Sequence, residues 1–301
     1  MFKNLLLFRL APTAAQAVPD LETELNDHRL RPIGDLEMST RGFVSVFDEE
    51  GKTLVHTVGD QTLLALGNQS RMLPGSVVNA EVRKRVNKIR QEEDRKVGGK
   101  ERKRIKEDVI TDLLPRAFIK EGRQSFYLDR KTGWVVFDGT SAKSAEEALS
   151  SLREALGTFP AVPVTSEESP RVLLTHWLAT GELPEGLVLG EEVELKEPME
   201  GGAVLKAKNQ ELQCEEILDH LKAGKQVTQL ALVWDNRLSF TLAEDLSIRK
   251  FKYLDVVLDE AGDSGETAES ALDADFVLLT LEAGKLIEKL VEWFKIEPVT
   301  E

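Results

Sequence analysis

The segment at 227–253 constrains the fold more than any other part of the chain. Its apolar and β-branched residues form three short runs, and positions 238–242 alternate strictly between apolar and polar side chains. Asp235 and Asn236 separate the first run from the second, as in a tight turn. Short runs joined by turn residues are typical of antiparallel hairpins. We therefore expect a hairpin-rich antiparallel sheet, within residues 203–253, in the C-terminal half.

Helical and extended segments follow each other along the rest of the chain, which predicts a mixed α/β fold. The predicted helices lie at 19–27, 76–97, 105–118, 142–156, 171–179 and 213–223. The predicted strands lie at 2–10, 42–47, 53–58, 61–66, 124–129 and 133–137, and a strand and a helix follow from 273 to 296. Ser76 and Ser141 are the predicted N-caps of two of the helices. The glycine, serine and acidic residues of 259–271 predict a mobile loop.

Three prolines, Pro160, Pro163 and Pro170, mark the expected boundary between two lobes. The first is an N-terminal α/β region at 1–159, which includes a basic helical arm at 76–121. The second is a C-terminal α/β region at 160–301. The apolar start at Leu5–Phe8 is interrupted by Arg9, so it predicts a first strand rather than a secretion signal. No segment approaches the ~20 apolar residues of a membrane span.

Charge is distributed unevenly along the chain. The net charge of −14 argues against a protein that is basic all over, yet residues 81–131 carry 17 Lys and Arg against 10 Asp and Glu. This block has a net charge of +7, and the other 250 residues have −21. One interpretation is a solvated helix whose cations pair with neighbours such as Glu92 and Glu101. The other is a positive surface that attracts phosphates.

A weaker basic cluster at 203–253 has 8 basic and 7 acidic residues, and 254–301 then has 3 basic against 13 acidic. Such segregation predicts one positive and one negative face.

Motifs for catalysis and for cofactors are incomplete in this sequence. The four histidines are scattered, with no H-x-x-x-H pair, and Cys214 is the only cysteine. We therefore expect no metal, no cofactor and no intramolecular disulfide, and a reducing cytoplasm as the natural location. Asp20 together with Glu194 and Lys196 is similar to the acidic and lysine set of metal-dependent nucleases, but 174 positions separate its halves.

Several stretches, in order from end to end, form a pattern that no single motif provides. They are Phe2-Lys3-Asn4-Leu5, Leu73-Pro74-Gly75-Ser76-Val77-Val78, Leu113-Leu114-Pro115-Arg116-Ala117-Phe118, residues 141–146, 152–157 and 215–228, and Asp273-Ala274-Asp275-Phe276. Together they resemble the RdgC family of bacterial recombination-associated proteins.

The resemblance implies a DNA-binding protein that is not an enzyme. It implies an α/β fold in which two horseshoe-shaped subunits, each with a projecting helical arm, close into a ring with a positively lined hole. A homodimer of this kind is expected to bind single- and double-stranded DNA with little sequence preference. It is also expected to restrain the RecA recombinase and to associate with the nucleoid.

Specific residues follow from the resemblance by position. The implied DNA-binding residues are Arg83, Lys84, Arg85, Lys88, Arg90, Arg95, Lys96, Lys206, Lys208, Gln210, Lys222 and Lys225. Arg116 and Phe118 match the tip where the two subunits meet, whereas the apolar spacing alone also allows Phe118 to end a buried helical stripe. Asn209 stands where the family often has a basic residue, and Cys214 is expected to cap its helix weakly.

Two other functions remain open on the sequence. The first is a protein-interaction module whose basic arm docks an acidic partner. The second is a metal-dependent nuclease that uses Asp20 and Glu194.

Overall fold

The computed structural model describes residues 2–47, 53–262 and 267–299, in which two antiparallel sheets are flanked by helices. The strands are β1 (Leu6–Arg9), β2 (Ser39–Phe43), β3 (Val55–Val58), β4 (Gln61–Met72), β5 (Phe118–Asp129), β6 (Trp134–Phe137), β7 (Val162–Pro163), β8 (Leu187–Lys196), β9 (Val204–Lys208), β10 (Gln226–Trp234), β11 (Leu238–Ala243) and β12 (Ile248–Tyr253). The helices are α1 (Pro12–Gln16), α2 (Leu21–Leu25), α3 (Gly75–Glu93), α4 (Gly99–Leu113), α5 (Ala142–Leu156), α6 (Pro170–Thr180), α7 (Glu215–Lys222), α8 (Asp255–Ala261) and α9 (Ala268–Phe294). The predicted mixed α/β class is confirmed, and the horseshoe outline and the ring stay predictions.

The N-terminal sheet has the order β2-β4-β5-β6-β1-β7, and β3 pairs with β4 beside β2. Strand β1 is buried on both faces, because Leu6 and Phe8 pack into one hydrophobic core whereas Leu5 and Leu7 pack into another. An unbroken apolar run is what such a strand requires. The sequence feature that superficially resembles a secretion signal is therefore an inner strand of the fold.

Helix α5 shows how local sequence sets an element of the first core. The Ser141 hydroxyl accepts a hydrogen bond from the Ser144 backbone N–H (3.3 Å), as predicted for an N-cap. Ala145, Leu149 and Leu152 recur at helical spacing and are buried against the sheet. The helix has the predicted bounds.

The C-terminal sheet has the order β12-β11-β10-β8-β9, which confirms the predicted hairpin-rich sheet. Its inner face packs in the larger core with side chains of α6, α7 and α9, and this core also contains Tyr127 and Val136 of the first sheet. Backbone hydrogen bonds between Leu5 and Ile248 join the sheets directly. The division at 159/160 stays a prediction; β7, just beyond it, pairs with β1.

Helices α3 and α4, which connect β4 to β5, pack together around a small core of their own. Val78 and Val82 of α3 meet Ile105 and Val109 of α4 in that core. We call residues 75–113 the helical hairpin. Its attachment depends on Arg71, which is 8% exposed and donates hydrogen bonds from Nη1 to the Leu114 carbonyl (2.7 Å) and from Nη2 to the Gly34 carbonyl (3.1 Å).

Several local predictions are wrong at the ends of elements. Ser76 does not cap α3, since Pro74 is the N-cap residue and Gly75 the first helical residue. The predicted helix at 105–118 ends at Leu113, because Pro115 lies in a short 3-10 turn at 114–116. Phe118 instead begins β5 and is 80% exposed, which overturns its alternative as buried core.

The C-terminal prediction of a strand followed by a helix is also wrong. Residues 268–294 form one continuous helix, α9, whose buried positions include Phe276, Leu279 and Ala283. The predicted loop at 259–271 is partly helical, because α8 extends to Ala261 and α9 begins at Ala268. Residues 263–266 of that loop lie outside the described residues.

Candidate nucleic-acid interface

The cations of the helical hairpin lie on its exposed surface, because one flank of each helix is used by the small core. Three of the predicted residues on α3, Lys84, Arg85 and Lys88, have acidic partners: Glu81 (3.2 Å), Asp112 (2.7 Å) and Glu92 (3.9 Å), respectively. Within the described ranges, three other predicted residues make no ion pair, and these are Arg83, Arg90 and Lys96. The ion-paired interpretation of the basic block therefore holds for part of it, and the phosphate-binding interpretation stays a prediction for the unpaired cations.

Arg95 is fully engaged at the bend between α3 and α4. Its guanidinium forms two hydrogen bonds with Glu101 (2.6 and 2.7 Å) and one with Glu93 (2.6 Å). These contacts hold the pKa of Glu101 below its usual range. Arg95 was predicted as a DNA-binding residue, and in this structure its hydrogen-bonding groups already tie the two helices together.

Helix α4 adds basic side chains that the predicted site did not include. They are exposed and without an ion pair in the described part of the chain, and they are Lys100, Arg102, Lys103, Arg104 and Lys106. The density of charge in the sequence is the signal that points to them.

The outer face of the C-terminal sheet carries a second group of cations. Odd-numbered residues of β9 face the core, so Lys206 and Lys208 project from the other face. The register places Glu194 opposite Lys206 and Glu192 opposite Lys208. We call the hollow on this face the sheet groove; it is lined by Glu192, Glu194, Lys206, Lys208, Arg249 and Lys250 around Gln229 and Thr241.

Side chains from strands that are not neighbours meet across this groove. Lys250 on β12 contacts Glu192 on β8, although β11 and β10 lie between these two strands. Both side chains are long, and together they reach across the two intervening strands. Register shifts in the β8–β10 and β11–β12 pairings, together with a φ of 52° at Lys250, bend the strands. Cations from both edges of the sheet thus converge on one groove.

Carboxylates hold these cations in place. Lys250 bonds Glu192 and lowers the pKa of that carboxyl, and the charges of Lys208 and Lys252 act in the same direction. Burial alone would raise the pKa of Glu194, but hydrogen bonds from Lys206 (2.6 Å) and Thr228 (2.9 Å) outweigh it and leave that pKa lowered. Both glutamates are therefore ionised at neutral pH and keep the lysines oriented.

Sequence reasoning placed Lys206 and Lys208 but did not select Arg249, Lys250 and Lys252. The basic residues among the apolar ones along 248–253 were the signal, but Arg249 and Lys250 are consecutive and do not alternate. A register shift in the β11–β12 pairing and a positive φ at Lys250 interrupt the strand there. Nothing in the sequence indicates that Lys250 meets Glu192, because the order of the strands in the sheet brings them together.

The other predicted residues of this region differ in their exposure and in their ion pairs. Lys225 is paired with Glu197 (3.0 Å) and only 14% exposed, whereas Lys222 is paired with Asp219 (2.8 Å) on the surface of α7. Gln210 lies in the turn after β9, half-buried. Cys214, at the N-cap of α7, makes no side-chain cap hydrogen bond, as expected.

The predicted tip residues lie where the helical hairpin joins the sheet. Arg116 ends the 3-10 turn, and Phe118 pairs with Met72 at the outer end of the β4–β5 ribbon. Both Phe118 and Met72 are exposed, as is Ile119. Phe118 and Met72 are thus cross-strand neighbours at this exposed end, and Ile119 points to the other face of the ribbon.

The two halves of the nuclease-like set have separate bonding partners. Asp20 caps α2, where its carboxylate accepts hydrogen bonds from the Thr23 hydroxyl (2.7 Å) and the Glu22 N–H (3.3 Å). Glu194 is bound to Lys206, Thr228 and Gln229 in the sheet groove. Among residues 2–47, 53–262 and 267–299, no group of three or more His, Cys, Asp and Glu is placed to hold a metal ion.

None of the helices in those described ranges is long and apolar enough to cross a membrane.

Comparison with known proteins gives matches over nearly the whole chain. Residues 1–297 match the family model described as "Putative exonuclease, RdgC". The chain is 47% identical over 297 residues to the recombination-associated protein RdgC of Xanthomonas campestris pv. campestris strain B100, with 98% of each chain covered. The proteins of the same name from Xanthomonas oryzae pv. oryzae strain MAFF 311018 and Stenotrophomonas maltophilia strain R551-3 are 48% and 44% identical, over 95% and 98% of each chain.

Proposed function

We propose that this chain, which belongs to the RdgC family of recombination-associated proteins, binds single- and double-stranded DNA without sequence preference. In this proposal two copies close into a ring around DNA, and the ring restrains RecA by competing for the same DNA. The protein then acts at the nucleoid and performs no chemistry on its ligand.

The convergence of cations on the sheet groove carries the proposal. Lys206, Lys208, Arg249 and Lys250 line it, in a chain whose net charge is −14. Among the described residues, Glu192 and Glu194 are the acidic residues of the lining, and Asp245 pairs with Arg249 (3.9 Å). Lys and Arg bind phosphates, and such contacts give affinity without sequence information. The small aromatic content of 6% also argues against recognition by base stacking. A confined basic surface of this kind suits the phosphate backbone of DNA.

The test of DNA binding uses two unrelated duplexes and one single-stranded oligonucleotide. We expect equal retention of the two duplexes and a steep loss of affinity between about 50 and 200 mM salt. A preference of about a hundredfold for one duplex would show base recognition and contradict the proposal.

The dimer is tested at the exposed end that carries Phe118. An aromatic side chain that is 80% exposed is suited to bury itself on a partner subunit. We expect Phe118→Ala to lower the mass of the protein in solution from dimer toward monomer, whereas Lys131→Ala, elsewhere on the surface, leaves the mass unchanged. A dimer of unchanged strength in Phe118→Ala would exclude this end as the interface.

A second candidate function, DNA cleavage, is favoured by the words "Putative exonuclease" in the family description. It predicts Mg²⁺-dependent degradation of DNA that disappears in Asp20→Asn or Glu194→Gln. Binding without degradation is the outcome expected from the main proposal.

The third candidate is docking of an acidic protein partner by the helical hairpin. Retention of DNA by the purified protein alone separates this candidate from the main proposal, which needs no partner for DNA binding.

A further inference from the structure

We infer that Glu192 and Glu194 are internal competitors of DNA phosphates, which hold the groove lysines when DNA is absent and are displaced from them when it binds. This inference rests on the proposed function, and it concerns the regulation of affinity at the same groove.

Glu194 is fixed more firmly than the lysine that it binds. One carboxylate oxygen accepts a hydrogen bond from Thr228 (2.9 Å), and the other from Gln229 (3.1 Å) and Lys206 (2.6 Å). The Glu194 side chain is 18% exposed, whereas that of Lys206 is 62% exposed. Lys206 can therefore rotate toward an incoming phosphate while Glu194 keeps its hydrogen bonds to β10.

Glu192, on β8, lies between the cations of the two edge strands, β9 and β12. Its carboxylate bonds Lys250, and Lys208 and Lys252 lie close enough to stabilise its charge. Three lysines from β9 and β12 thus surround one carboxylate. Such a site offers to a phosphate oxygen the same donors that it offers to Glu192.

The exchange has a consequence for the salt dependence of binding. A lysine that neutralises a DNA phosphate releases a condensed counterion, and this release sets the slope of affinity against salt concentration. A glutamate that stays beside the lysine offsets part of the positive charge that the lysine offers to the phosphate, and so reduces that release. Removing the glutamate charge should therefore raise the affinity and also make the salt dependence steeper.

The experiment measures binding of one fluorescent duplex, at several salt concentrations, to the full-length protein and its variants. The test variants are Glu192→Gln, Glu194→Gln and the pair. The control is Glu191→Gln, on the same strand, because Glu191 is exposed and makes no ion pair with the described residues. All three substitutions keep the side-chain shape, and each changes the net charge equally.

We expect the double variant to bind about tenfold more tightly at moderate salt, with a logarithmic slope steeper by about 1 to 2. Glu191→Gln should change the affinity less than twofold and leave the slope unaltered. Glu194 also bonds Thr228 and Gln229, so the double variant could fold poorly. In that case Glu192→Gln alone repeats the test, because Glu192 makes no hydrogen bond to those two residues.

Two failures are distinguishable. If the wild-type protein retains no duplex at any salt concentration, the proposed function fails. If it binds duplex but neither glutamine variant exceeds the Glu191→Gln control, the competition between carboxylate and phosphate is overturned and DNA binding stands.

Discussion

The helical hairpin and the sheet groove are both basic, but they hold their cations in different ways. The hairpin carries many exposed cations on two helices that share only a small core. The groove carries fewer, and two of them, Lys206 and Lys250, are held by glutamates. Exposed, flexible cations attract phosphates at long range, whereas the groove cations converge on one place and two of them must leave a glutamate before they bind a phosphate. The number of cations in a region is therefore a poor measure of what it would contribute to DNA binding.

Charge reversal in the two regions gives the largest expected contrast. We expect Lys206→Glu with Lys208→Glu to weaken duplex binding by about 100-fold, since two contacts are lost and two repulsions added. The matched change in the hairpin, Lys103→Glu with Lys106→Glu, should cost about tenfold. Fluorescence anisotropy measures both, and circular dichroism together with the mass in solution checks that the variants keep the fold and the oligomeric state of the wild type. A larger loss from the hairpin pair would reverse the ranking of the two regions.

The next prediction concerns the hydrogen bonds of Arg71 at the base of the helical hairpin. Arg71→Met keeps much of the buried volume but removes the donors to the Leu114 and Gly34 carbonyls. We expect the variant to lose about 2 kcal/mol of unfolding free energy, because a buried carbonyl is left without its partner. Urea denaturation measures this loss. Limited proteolysis should cut first within residues 73–117, and initial cleavage in the C-terminal sheet would show that Arg71 supports the whole fold instead.

The C-terminal sheet is joined to α9 by a buried ion-pair network, whereas the ion pairs of the helical hairpin are exposed. Glu282, with a side chain that is 0% exposed, accepts hydrogen bonds from Arg237 (2.9 and 3.1 Å) and Lys285 (2.9 Å). Burial raises the pKa of Glu282, but these hydrogen bonds outweigh burial and lower it overall. The stabilisation is therefore present above the pKa of an ordinary carboxyl and is lost as the pH falls through the lowered value.

We expect Glu282→Gln to cost about 3 kcal/mol at neutral pH, because one charge of a buried network is lost. The variant should also lose less stability on acidification than the wild type, since its amide does not titrate. Thermal unfolding at pH 7 and pH 4 measures both effects. Glu101→Gln, in the exposed pair with Arg95, should shift Tm much less, and equal shifts would remove the distinction between the buried and the exposed ion pairs.

Elements with a strong local pattern could be predicted from the sequence, and elements set by distant contacts could not. Helix α5 has its predicted bounds because Ser141 caps it and its apolar spacing fits one buried face. Strand β5 begins at Phe118 rather than at 124, because pairing with β4 extends over residues that have no apolar alternation of their own. Helix α1 was missed because five residues give too short a pattern.

The candidate site also has residues that the sequence predicted and contacts that only the structure shows. Lys206 and Lys208 were predicted from the family resemblance by position, and the structure puts them on the outer face of the sheet. The contact of Lys250 with Glu192 depends on the order of the strands, which is a property of the assembled sheet. Likewise, the sequence left open whether the cations of the basic block pair with neighbouring carboxylates, and only the bend between α3 and α4 assigns Glu93 and Glu101 to Arg95.

The smallest expected effect separates free from paired cations within the hairpin. Arg90→Gln and Arg95→Gln change the net charge equally, so they weaken the long-range attraction equally. Arg90 makes no ion pair with the described residues, whereas Arg95 is bound to Glu93 and Glu101. If Arg90 contacts a phosphate, its variant should lose about twofold in affinity at moderate salt and about 0.9 of the logarithmic salt slope. Arg95→Gln should keep the wild-type slope. An equal loss of slope in both variants would mean that DNA displaces the glutamates of Arg95 as well, and that the hairpin contributes oriented contacts like those of the groove.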